Sequence, residues 1–400
     1  MGRMPAVALT FRPDDAEFFA QVPARAAVFA IRGEQGTEPY VSKTSNLKRR
    51  LLRLLAPGEE RSRLLNLRTV ARTVEFTLTG SDFESQLRLY RALREAFPKT
   101  YGERLRLRFP PLIKYNLDNP YPRAYVTHRV SSLKGKSVYF GPFATRAAAE
   151  KYLNDSLDFF KLRRCDFEIH PDPAYPGCVY SEMKMCLAPC FAGCTDDEYR
   201  RETERVAAYL ESAGRSLERE LADEREKASA ELAFETAAAV HARVEKIAEV
   251  GRERPEIARR LDQLNGLVVQ PAAEAGAVAL FPLAHGMMGE PLMFHVEQSG
   301  GKMQSMESRI QEVLAQIEPP RAHSALELME NLAILKRWHF RSMKLGELFL
   351  TDEKGELPLR RVVRGVSRVF KGEKAEVDLS TTAAREYWLA RARAQQEEKP

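Results

Sequence analysis

No apolar run in the 400-residue chain approaches the roughly 20 residues that a membrane-spanning helix needs. The start, MGRMPAVALTFRP, meets Arg12 and Pro13 too soon to read as a secretory leader. These absences predict a cytoplasmic protein with no membrane partner. Histidine is scarce, and His285, His295, His323 and His339 lack metal-ligand spacing, which argues against a histidine-based centre in the second half. Proline is absent from Asp196 to Arg252, a stretch rich in Ala, Glu, Arg and Leu, so two or three helices are expected there. No internal repeat is evident. Cysteine is also scarce, but four of the five cysteines fall within CVYSEMKMCLAPCFAGC, Cys178 to Cys194, with Cys165 just upstream.

A chain of this length exceeds one ordinary core, and its 44% hydrophobic residues can fill several. The net charge of +6 is a mild hint of an anionic partner, and its distribution is a stronger one. Lys43, Lys48, Arg49, Arg50, Arg53, Arg61, Arg63, Arg68 and Arg72 face only Glu59 and Glu60 over that stretch. A basic surface of this density suits nucleic-acid phosphates, because each neutralised phosphate releases counterions.

The pattern predicts an α/β multi-domain protein. Residues 1–120 form an α/β domain with strands at 26–33, 39–43 and 72–80 and helices at 45–55 and 82–96, capped by Ser45 and Asp82. Residues 121–195 form a cysteine-rich linker domain, with strands in RAYVTHRV and KSVYFGPF joined by a turn at Lys134-Gly135 and a helix at 145–160. Residues 196–254 are helical. Residues 255–400 form a small C-terminal α/β region with three short strands between 264 and 297, helices at 305–317 and 325–344, and a charged tail ending in RARAQQEEKP. Asp262 and Glu297 read there as surface carboxylates.

Several thiols in a short, turn-rich segment of a cytoplasmic chain point to a soft metal rather than disulfides. Four thiolates hold either tetrahedral zinc or an iron-sulfur cluster, and the ligand type leaves both open. A closed four-sulfur site organises a fold rather than catalysing a reaction.

YFGPF, FFKLRRC, CVYSEMKMCLAPC and the helical ASAELAFETAA together resemble the UvrC family of the bacterial excinuclease ABC system. The resemblance implies ligation by Cys165, Cys178, Cys186 and Cys190, of a [4Fe–4S] cluster with zinc as the alternative, and leaves Cys194 as an extra thiol. It implies a GIY-YIG nuclease fold at the N-terminus, with AVF (27–29) and YVSK (40–43) at the two motifs. Tyr40, Lys43 and Arg50 would be the catalytic remnant, and Lys48, Arg49 and Arg53 the adjoining DNA-binding residues. Asn116 is a candidate for the asparagine that follows the family's P-x-Y motif.

The departures are chemical. Phe29 has no hydroxyl where the motif tyrosine moves a proton, Ser42 replaces a glycine, and Leu89 stands where a glutamate binds Mg²⁺. Mg²⁺ is therefore expected only if the nuclease is active. The resemblance also implies a UVR-type helical hairpin at about 217–250 that binds UvrB through Phe234, Leu232 and Ala238, with the family's Arg-Asp pair replaced by His241-Ala242. Neither a D-x-S-H segment of a second, RNase H-like nuclease nor a G-x-G hairpin pair occurs between 256 and 400. The reading is a shortened, degenerate UvrC-like DNA-binding protein of nucleotide excision repair with impaired or absent incision. The alternative is an active endonuclease making a single nick, as in short UvrC homologues.

Overall fold

The computed structural model describes residues 7–14, 17–57, 65–297 and 304–373. Arg61, Arg63 and the tail RARAQQEEKP lie outside the described residues. The chain is a mixed α/β protein of two units. One unites the residues up to Arg108 with 265–320 and those from Ala333 to Ala375; the other holds 109–264 and 321–332. Among the described residues no helix is long and apolar enough to cross a membrane.

The chain begins with β1 (Val7–Thr10), α1 (Phe18–Gln21), β2 (Ala27–Arg32), β3 (Tyr40–Thr44), α2 (Leu47–Leu55), β4 (Thr73–Leu78), α3 (Asp82–Ala96) and α4 (Tyr101–Leu105). The strands form an antiparallel sheet ordered β1-β4-β2-β3. Helix α2 buries Leu47, Leu51, Leu54 and Leu55, an i, i+4, i+7, i+8 stripe, in the core with Phe29, Val74 and Phe76. Each such leucine contributes roughly 1.5–3 kcal/mol relative to exposure. The caps fall one residue away from the sequence-based positions. Asn46, not Ser45, accepts from the Arg49 amide, and Ser81, not Asp82, accepts from the Glu84 amide. In each case the residue in extended backbone directly before the helix aims its oxygen at the free N–H groups.

Next come β5 (Leu112–Tyr115), β6 (Ala124–Thr127), β7 (Val138–Gly141), α5 (Arg146–Leu157), α6 (Val179–Glu182), α7 (Asp196–Ser212), α8 (Arg215–Ala230), α9 (Phe234–Glu253) and β8 (Arg259–Arg260). Strands β6 and β7 are not a hairpin; both flank β5 in the order β6-β5-β7-β8. The Lys134-Gly135 segment crosses between the edges because Asp118 holds it, accepting from the Lys136 and Ser137 amides and the Ser137 hydroxyl at 2.6–3.0 Å. Asn116 fixes the β5–β6 turn, accepting from the Arg123 amide at 2.6 Å. Ile113, Phe140, Phe143 and Tyr152 share one core with Tyr199, Val206 and Tyr209 of α7 and with the inner faces of α8 and α9.

The last elements are β9 (Gly266–Pro271), β10 (Ala277–Ala284), β11 (Met287–Met288), β12 (Leu292–His295), α10 (Met306–Ala315), α11 (Ala325–His339), β13 (Glu347–Leu350) and α12 (Leu359–Lys371). The sheet runs β11-β10-β9-β13, with β12 also on β10. Val278 and Leu280 of β10 pack with Ile310 of α10 and with Val362, Val366 and Val369 of α12. Gly365 lets α12 approach β13, since a Cβ there would lie 2.2 Å from the Phe349 ring. α12 lies in the last fifty residues, whose composition suggests only a charged end, and β13 lies just before them; neither is expected from the sequence pattern.

Candidate functional site

Helix α2 directly follows β3, so its basic residues and those of β3 lie on neighbouring elements. Arg50 donates to the Tyr40 hydroxyl at 2.7 Å. Phe29 is buried in the sheet core, its ring 6.1 Å from that of Tyr40 and its backbone opposite Ser42. Lys43 is three residues from Tyr40 on the same strand, and odd spacing sends it to the other face. It pairs with Asp82 at 2.6 Å, and the second Asp82 oxygen takes Arg341, also at 2.6 Å. The two cations and the hydrogen bonds they donate hold the Asp82 carboxyl below the usual range, against the opposing effect of its own partial burial. Arg49 and Arg53 are exposed, Lys48 is half-buried, and α2 contains no acidic residue.

Helix α3 is occupied by packing. Residues 83–88 and Tyr90 are buried, and Leu89 is partly so. Phe83 lies between Phe281 and Trp338, with ring centroids 5.3 and 5.0 Å away. Glu84 accepts from the Gly80 amide and pairs with Arg88 at 2.7 Å, so its carboxylate is committed within the first turns of the helix. Arg91 donates to the carbonyls of Met288 and Gly289. The helix therefore joins the first sheet to the β9–β13 sheet. Sequence reasoning missed this because both α3 and β10 read as parts of separate small domains.

The cysteines lie in the long connection between α5 and α7. Cys178 caps α6, Cys190 sits in a single 3₁₀ turn at Pro189–Phe191, and Cys194 just precedes the Thr195 cap of α7. Positive φ at Gly177, Lys184, Ala188 and Ala192 folds the connection back on itself. All five thiols are free. Burial pushes the Cys186 thiol up to about 11, with smaller contributions in the same direction from Cys165, Cys178 and Cys190. Cys190 is raised by burial first and then by Cys178, with Cys165 also contributing. Cys194 is pushed up to about 11 by burial and then by Glu198 and Asp196, with Cys190 a smaller influence. The Ala188 amide donates to the Cys186 sulfur at 3.3 Å.

Four soft sulfurs with a backbone donor at one of them are a donor set suited to zinc or an iron-sulfur cluster. Among the described residues, no group of three or more His, Cys, Asp or Glu side chains stands in a metal-holding arrangement. Arg163, which sequence reasoning passed over inside FFKLRRC, is buried and donates to the carbonyls of Tyr121 and Phe167 at 2.8 Å, with its Nη1 3.7 Å from the Cys165 sulfur. It fixes where Cys165 leaves the core. FFKLRRC carries three basic residues, Lys161, Arg163 and Arg164, and nothing in the sequence singles out the buried one.

Helices α8 and α9 pack against each other through Leu217, Leu221, Ala228, Val240, Ile247 and Val250. The other apolar residues emerge at the tip, where Leu232 is 72% and Phe234 66% exposed and Ala238 is exposed as well. Leu232 has a φ of 59°, which turns the chain between the helices.

Residues 111–209 match the family model described as the UvrC/Cho excinuclease middle domain. The chain is 29% identical to the UvrABC system protein C of Hyphomonas neptunium over 241 residues, covering 58% of this chain and 38% of the relative. It is 29% identical to that of Serratia proteamaculans over 280 residues, 68% of this chain and 44% of the relative. With the Rickettsia africae protein the match is 29% over 230 residues, 57% and 35% of the two chains. The matches thus span about two fifths of the length of these curated relatives. No solved structure matches the chain significantly.

Proposed function

We propose that the chain, whose residues 111–209 match the UvrC/Cho excinuclease middle domain, is a DNA-binding factor of nucleotide excision repair that does not incise DNA. In this reading the first sheet with α2 and α3 is a GIY-YIG fold that has kept phosphate-binding cations and given up catalysis. The observation that carries it is α3. Where the nuclease chemistry needs a metal-binding carboxylate, the helix presents partly buried Leu89, its one buried carboxylate is tied to Arg88, and the surrounding side chains are core. Phe29, buried at the other catalytic position, has no proton to transfer. Metal activation and proton transfer each lower such a barrier by several kcal/mol, so loss of both leaves binding without useful rate.

Arg49, Arg53 and Lys48 would meet the DNA backbone. Arg49→Ala with Arg53→Ala is expected to lower the slope of log K against log salt by about two for a duplex, at about 0.9 per lost phosphate contact. An unchanged slope in fluorescence anisotropy would remove α2 from the interface.

Cys165, Cys178, Cys186 and Cys190 would hold a [4Fe–4S] cluster, or zinc in its place, as a scaffold between the β5–β8 sheet and α7. The tip of the α8–α9 hairpin would be a UVR-type contact for UvrB, because Phe234 and Leu232 are exposed large apolar residues on one turn. Phe234→Ala should leave the melting temperature unchanged and abolish capture of purified UvrB. Undiminished capture would refute that assignment.

A further inference from the structure

We infer that α12, at the far end of the sequence from α2, is a second docking surface for the phosphate backbone of duplex DNA. The inference rests on the DNA-binding reading above and extends it to a helix that no motif marks. Its sequence, LRRVVRGVSRVFK, has five basic residues and no acidic one. Four of the five, Arg360, Arg361, Arg364 and Lys371, are exposed, and among the described residues none of them has a side-chain partner. Arg368, the fifth, is used internally, with two 2.8 Å hydrogen bonds to the two oxygens of Glu347. That pairing and the burial of Val362, Gly365, Val366 and Val369 fix the rotation of the helix, so its basic side cannot turn inward.

Two features select the occupant. A basic amphipathic helix that binds a lipid surface must insert its apolar face, and here that face is spent on the β9–β13 sheet. What remains is a row of cations with one exposed ring, Phe370, beside its end, too little apolar surface to insert into a bilayer. At 1.5 Å per residue, Arg360 to Lys371 spans about 16 Å, against one phosphate per roughly 3.4 Å of axis on each DNA strand. A fixed row of cations on that scale matches several phosphates and carries no base readout.

The test is fluorescence anisotropy of the full chain with a labelled 30-base-pair duplex across a salt series. The triple variant Arg360→Ala, Arg361→Ala, Arg364→Ala is expected to bind about tenfold more weakly near 100 mM salt, with a slope lower by two to three, while the corresponding triple lysine variant keeps the slope. An unchanged slope in the alanine variant overturns the inference. If the Arg49→Ala, Arg53→Ala variant loses slope in the same series, the DNA-binding reading survives that result. Absence of binding by the unaltered chain overturns both. Loss of binding to phosphatidylserine vesicles by the triple alanine variant, with duplex binding intact, would assign α12 to lipid instead and overturn it. Should the alanine variant fail to fold, protection of Lys371 from acetylation by the duplex decides: protection supports the inference, and equal acetylation with and without DNA contradicts it.

Discussion

Cys186→Ser is expected to abolish metal loading, whereas Cys194→Ser keeps it. Chain prepared without oxygen should carry iron with sulfide, or zinc, and the Cys186 variant should carry neither. The reasoning is structural. Cys186 is the thiol whose electrostatic surroundings include Cys165, Cys178 and Cys190 together, and it receives the Ala188 amide. Serine at this position removes a soft donor that a four-ligand centre cannot replace. The raised thiols also mean that loading must release protons, so metal content should fall as pH is lowered. Cys194 lies towards Glu198 and Asp196, which act on it more strongly than Cys190 does. The connection from 161 to 195 has few buried apolar side chains, so a bound centre would contribute much of its order, and the Cys186 variant should then also melt earlier. Equal metal content in the two variants would rule out this ligand set.

Phe83→Ala is expected to cost about 3–5 kcal/mol, the range for deleting a buried aromatic ring. In the unit that contains α3, this corresponds to a fall in melting temperature on the order of ten degrees. Phe83 is 3% exposed and touches Phe281 of β10 and Trp338 of α11, so its removal opens a cavity where the two sheets share α3. Asp82→Ala one residue earlier should change little, because its pairs with Lys43 and Arg341 are half exposed and such pairs contribute less than about 1 kcal/mol. A loss below about 1 kcal/mol for Phe83→Ala would mean that α3 is not a core element.

Local pattern made much of this fold legible. Strands β2, β3 and β4 combine β-branched and aromatic residues between turn formers, and α2 and α3 have helical apolar spacing, so all five follow from the sequence to within two residues. What escaped depends on distant parts of the chain. β10 follows from its continuous apolar run AVALFPLA, the mark of a strand covered on both faces, but the sequence does not say that α3 supplies part of that cover through Phe83. α12 was hidden by its charge. Its Arg368 looks like surface until Glu347 is placed opposite it, and its apolar stripe of four residues is short among the arginines. The β6-β5-β7 order was missed because Asp118 reaches across to hold the loop after β6, a long-range hydrogen bond with no periodic signature. For the candidate sites, the crowding of the cysteines is plain in the sequence, whereas the contacts of Arg163 and the Lys43–Asp82–Arg341 group required the fold.

The most direct test of the central claim is plasmid nicking. Purified protein, metal-loaded and free of contaminating nuclease, is incubated with supercoiled damaged DNA, with UvrB and with Mg²⁺ or Mn²⁺. The account predicts a retarded complex and no conversion of supercoiled to nicked circles. Nicking that requires the divalent ion and disappears in the Lys43→Ala variant would contradict it.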